Sequence, residues 1–76
     1  MRVYFEVRSK ADILSKNDSF YTEMDEEEIE QLLDIKEISY SSKVGNKRVK
    51  KHGIIEDTVF DISCDPYVIR MLVTEM

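Results

Sequence analysis

Residues 64–76 read CDPYVIRMLVTEM. Asp65 is a residue type that caps helices, and Pro66 suits the first helical position, where a missing N–H leaves nothing unpaired. Ile69, Leu72, Val73 and Met76 then fall at i, i+3, i+4 and i+7, the stripe of an amphipathic helix. This spacing predicts a helix that closes the chain.

A second helix is predicted upstream, in MDEEEIEQLLDI (24–35). Asp25 is placed as N-cap and Glu28, three residues on, as its reciprocal partner in a capping box. Met24 before the cap and Ile29 after the first turn make the pairing of a hydrophobic staple. Glu26, Glu27 and Glu28 sit at the positive end of the helix dipole. Ile29, Leu32 and Leu33 supply the apolar stripe, so the helix is expected over about 26–34.

Between and before these helices the apolar period is two. In RVYFEVR (2–8), Val3, Phe5 and Val7 face one way while Arg2, Glu6 and Arg8 face the other, a half-buried strand. SKADILSKNDS (9–19) is turn-rich, with Ile13 and Leu14 available to cover an edge of the core, and FYTEM (20–24) reads as a short strand. In EISYSSKV (37–44), Ile38, Tyr40, Ser42 and Val44 share a face. Gly45-Asn46 fits a two-residue hairpin turn, with KRVKKHGII (47–55) returning antiparallel. In that register Val44 faces Lys47, Ser42 faces Val49 and Tyr40 faces Lys51. Both faces of the tip are polar, so the hairpin is expected to project beyond the core. Gly53 suggests a bulge or bend. DTVFDIS (57–63) alternates again, with Thr58, Phe60 and Ile62 on one face; a helix through 54–62 is a weaker fit to the same residues.

The element order β-(β)-α-β-β-β-α predicts a small α+β domain spanning 1–76, with an antiparallel sheet of three to five strands and two helices packed on one face. At 76 residues the core is marginal, because a chain this short buries only roughly 60% of its unfolded surface. One cysteine excludes an internal disulfide, and Cys64 with His52 supplies too few ligands for structural zinc. Homodimerisation is therefore expected as a way to complete the core. No apolar run approaches a membrane span. MRVYFEVRSK lacks the pattern of a signal peptide. With the free thiol and a charged fraction of 36%, these features point to a cytoplasmic protein.

The chain names no chemistry. It has no glycine-rich phosphate loop, no GxSxG and no HExxH, so neither an enzyme nor a cofactor is expected. Cys64 reads as a small apolar residue at the start of a helix, and His52 as a solvated hairpin histidine. The carboxylates of 25–28 lack the spacing of a calcium loop, and consecutive helical residues fan out by about 100°, so they do not converge on one ion.

What stands out is charge segregation. Residues 23–37 hold eight carboxylates and one lysine, whereas 38–52 hold five cations and no acid. Such polarity creates a field that steers association and favours head-to-tail contact between copies. It resembles the charge polarity of small accessory proteins of phage or mobile elements, some of whose acidic surfaces copy nucleic acid. The expected function is accordingly a regulator or inhibitor that binds another protein through charged surfaces. Glu26, Glu27, Glu30 and Asp34 form the acidic contact, and Tyr21 or Tyr67 is the aromatic anchor. The alternative is a nucleic-acid-binding module in which Lys43, Lys47, Arg48, Lys50 and Lys51 grip phosphates and Tyr40 stacks on a splayed base. The sequence pI of about 4.8 and the absence of tryptophan argue against that alternative.

Overall fold

Alternating burial in RVYFEVR makes β1 (Arg2–Arg8), with Val3, Phe5 and Val7 almost wholly enclosed. The computed structural model describes residues 1–9 and 18–76; the expected covering role of Ile13 and Leu14 lies outside the described residues. β2 (Phe20–Glu23) pairs antiparallel with β1, setting Phe20 against Phe5 and Tyr21 against Tyr4. The chain then enters α1 (Glu26–Ile35) and continues into β3 (Glu37–Val44), β4 (Lys47–Asp61) and β5 (Val68–Glu75).

The capping box forms as the sequence implies. Glu28 N–H donates to Asp25 Oδ1 at 2.8 Å, and Asp25 N–H donates to Glu28 Oε1 at 3.0 Å. The helix ends at Lys36, whose φ of 61° is left-handed and whose N–H donates to Leu32 O at 2.8 Å. This is the αL cap usually given to glycine.

The closing helix does not exist. Residues 68–75 are β5, and they occupy the middle of the sheet, whose strand order is β2-β1-β5-β4-β3. β5 lies parallel to β1, with Val3 opposite Ile69, Phe5 opposite Met71 and Val7 opposite Val73. It lies antiparallel to β4 on its other side. Among the described residues the architecture is thus one helix against a curled, half-barrel sheet of mixed polarity, and not two helices on an antiparallel sheet. The physical reason is that two periods coincide. Ile69, Met71 and Val73 alternate onto the core face, and with Leu72 between them Ile69, Leu72 and Val73 satisfy a helical stripe as readily as an alternation. Four of the eight β5 residues, Val68, Ile69, Val73 and Thr74, are β-branched and so fit a pleated surface better than a helix. Asp65 and Pro66 belong to the connection before β5, joined by a cis peptide bond, and cap nothing.

β4 is one 15-residue strand, not two. Its register shifts between Ile55 and Asp57, so Glu56 bulges. Gly53, the expected bulge, is in regular pairing with Ile38 on one side and Glu75 on the other. It is glycine for lack of space: a Cβ there would overlap Val73 Cγ1 and meet Tyr40 Cε1 at 3.3 Å.

The core occupies the inner face of the curl. Val3, Phe5, Val7, Ile55, Ile69, Met71 and Val73 line it, Tyr40 extends it onto β3, and Ile29 enters from α1 with Met24, Leu32 and Ile38 packed around it. Burying each of these large side chains contributes about 1.5–3 kcal/mol. The outer face is a cross-strand row of Tyr21, Tyr4, Arg70 and Val59. The two tyrosine rings are 4.5 Å apart, Arg2 lies 4.2 Å over Tyr21, and Arg70 lies 5.6 Å from Tyr4 while reaching Asp61 at 3.5 Å.

Candidate functional site

Two surfaces inherit the segregated charge. The first is the arm formed by β3 and β4. Val44 pairs with Lys47, Ser42 with Val49 and Tyr40 with Lys51, as the hairpin reading expected. Gly45 carries φ of 62° and Asn46 does not share a positive φ, the pattern of a turn with glycine in its first central position. β5 accompanies β4 only from Gly53 onward, so, among the described residues, 47–52 have β3 as their sole strand neighbour.

Pleating divides the five cations. Lys43, Arg48 and Lys50 point from the outer face, where Arg48 donates to Ser41 Oγ at 3.3 Å and His52 Nδ1 lies 3.0 Å from Ser39 Oγ. Lys47 and Lys51 share the inner face with Val44 and Val49. Lys51 is engaged, 3.3 Å from Glu75. Among the described residues the other four cations take part in no ion pair. Val44 and Val49 are 54% and 38% exposed, so the tip shows an apolar pair framed by positive charge.

Toward its base the inner face of the arm is dry. Ser42 and Tyr40 are buried, and Tyr40 Oη has no hydrogen-bond partner among the described residues. Burial pushes the Tyr40 hydroxyl above its ordinary range, with the carboxylates of Glu75 and Asp18 adding to the effect. Stacking of this ring on a base is therefore excluded by its position.

The second surface lies along α1. At about 100° per residue, Glu26, Glu30 and Asp34 recur on one stripe, with Glu27 beside it. All four are exposed, so the structure does bring the acidic set together on one flank. That flank borders a groove of roughly 490 Å³ lined by Glu26, Glu30, Ile29, Met1, Phe60 and Ile69. Met1 is held there by the hydrogen bond from Met24 N–H to Met1 O, 3.0 Å. Phe60 is 54% exposed and meets Tyr67 edge to face at 5.9 Å. Of the two expected aromatic anchors, Tyr67 adjoins the groove through Phe60. Tyr21 lies on the opposite face of the sheet against Tyr4 and Arg2.

Phe60, Ile69 and Met1 were not expected in the site. The alternation of DTVFDIS groups Phe60 with Thr58 and Ile62 on one face, but reading 64–76 as a helix hides its cross-strand neighbour Ile69. Cys64 is exposed in the β4–β5 connection, not packed at the start of a helix, and its thiol lies 3.7 Å from Asp61 Oδ2. β4 puts it far from His52, so the two do not form a nucleophile–base pair. Asp61 is the hub of that connection. The hydroxyl and then the N–H of Ser63 hold its carboxyl below the usual range, helped by Arg70 and Cys64. Among the described residues no three His, Cys, Asp or Glu side chains are placed to hold a metal, and no helix is long and apolar enough to cross a membrane.

Comparison of the chain with family models, curated proteins and solved structures finds no match.

Proposed function

We propose that this chain is a binding module without catalytic chemistry, a regulator or inhibitor that takes a segment of another protein into the groove beside α1. The observation that carries the reading is the adjacency of Glu26 and Glu30 to the apolar floor of Ile29, Ile69 and Phe60. A groove with an apolar floor and an acidic rim selects a segment with an apolar anchor between lysines or arginines. The anchor supplies affinity by leaving water, and the rim supplies orientation and rate.

Nucleic acid is the less favoured occupant of this protein's surfaces. Its cations are divided between two faces of the arm, one is bound to Glu75, and the aromatic ring nearest them is buried.

The test is a titration of isotope-labelled chain with a synthetic peptide alternating valine or leucine with lysine, followed by amide shifts. Shifts are expected at 26–30, Phe60 and Ile69, weakened at least tenfold by Glu26→Lys with Glu30→Lys. In lysate, any stoichiometric partner held by the unaltered chain should be lost with the same pair of substitutions. Shifts that spread evenly, or survive the reversal, overturn the reading.

A further inference from the structure

The groove has a complement on the same chain. The arm tip presents Val44 and Val49, both exposed and on one face with Lys47, and it is flanked by Lys43 and Arg48 from the other face. The groove presents Ile29, Ile69, Phe60 and Met1 rimmed by Glu26 and Glu30. Apolar centre meets apolar centre, and cations meet carboxylates. Among the described residues no ion pair joins the two charged sets or holds any of Lys43, Lys47, Arg48, Glu26 and Glu30.

One copy cannot make this contact with itself. Lys47 opens β4 and Phe60 lies near its other end, thirteen residues along one strand that is paired with β3 or β5 on either side of the Glu56 bulge. At about 3.3 Å per residue a strand of that length holds its ends tens of ångströms apart, even when bent by a bulge. The strand that displays both surfaces also keeps them separate.

We infer that the arm of one copy docks in the groove of a second copy, giving a head-to-tail assembly. This rests on the groove reading above and names one occupant for it. The contact joins two different patches, so it closes on a two-fold axis only if made reciprocally, each arm in the other copy's groove; otherwise it propagates as a ring or an open chain. Because its rim is exposed, it weakens as salt shortens the reach of the charges. A foreign segment with a similar basic and apolar pattern competes with the arm, so assembly sets how much groove is free.

The experiment is sedimentation velocity of the full chain at micromolar concentrations in about 25 mM and about 500 mM salt. Species heavier than 9.0 kDa are expected at low salt and should dissociate at high salt. The arm variant (Lys47→Glu, Arg48→Glu, Lys50→Glu) and the groove variant (Glu26→Lys, Glu30→Lys) should each sediment as monomers. All five positions are exposed, and circular dichroism confirms that both variants remain folded. Mixed one to one, the two variants should associate again, since the arm variant keeps its groove, the groove variant keeps its arm, and the two reversed surfaces complement each other in turn. A monomeric unaltered chain at both salts overturns the inference, and so does an oligomer that survives high salt or both reversals, which would be edge-strand pairing. If the unaltered chain is monomeric yet still binds the lysine-rich peptide in the groove, self-docking fails while the groove reading stands.

Discussion

Gly53 and Val73 are packed so closely across the β4–β5 boundary that no side chain of any size fits between them. Thr74 O, 3.2 Å from where a Cβ would stand, closes the remaining route of escape. Both neighbours belong to the central strand, whose backbone is fixed by ladders on either side. Gly53→Ala is therefore expected to destabilise by about 1–3 kcal/mol through overpacking. Chemical denaturation gives the value, and a double-mutant cycle gives the cause. In a Val73→Ala background the penalty should fall by more than half; an unchanged penalty would place the clash elsewhere.

Tyr40 is buried for its ring and not for its hydroxyl. With no partner for Oη among the described residues, Tyr40→Phe should leave stability unchanged or raise it by about 1 kcal/mol. The pH dependence has a definite sign. Burial, then Glu75 and Asp18, raise the folded-state value above that of an exposed tyrosine. The folded chain therefore keeps a proton that the unfolded chain releases, and stability falls as pH rises above about 10. Urea titrations between neutral and alkaline pH should show a shallower decline in the Phe variant. A Phe variant less stable at neutral pH would mean that the hydroxyl is bonded.

Asp61 behaves in the opposite sense. Its carboxyl is held low by Ser63, with Arg70 and Cys64 contributing. A depressed folded-state value means stability that is fully present above about pH 4 and is lost as pH falls through the folded value. Asp61→Asn is expected to be less stable than the parent at neutral pH, with the difference shrinking on acidification. Thermal unfolding of both chains from pH 6 to strongly acidic conditions measures this. A constant difference would show that the carboxylate acts through shape and not charge.

How much of this was legible beforehand depended on whether the decisive interactions were local. The α1 cap, the alternation of β1 and the hairpin pairing around Gly45 are settled by residues within about ten positions of one another, and each was read correctly. β5 was misread because its partner is β1, more than sixty residues earlier. Nothing near Val68 announces that a parallel neighbour will cover it, and Asp65-Pro66 imitates a helix start. The acidic set was legible as a stripe, since helical spacing alone groups Glu26, Glu30 and Asp34. The groove beside it was not, because Ile69 and Phe60 meet Ile29 only after the sheet has closed. Gly53 was noticed for the wrong property: glycine there supplies clearance, while the bulge falls at Glu56, a residue with no backbone peculiarity to flag it.

The parallel pairing of β1 with β5 has a consequence for synthesis. β1 has its central neighbour more than sixty residues later in the chain, so it waits for β5 to be made. Until β5 emerges, the described residues of the nascent chain supply two separate hairpins and a short helix, none of which is stable alone in water. The body of this protein therefore assembles after translation of its strands is finished, and it does so all at once. Any ribosome stall before Val68 leaves Val3, Phe5 and Val7 exposed, a mark by which quality control can recognise the unfinished chain.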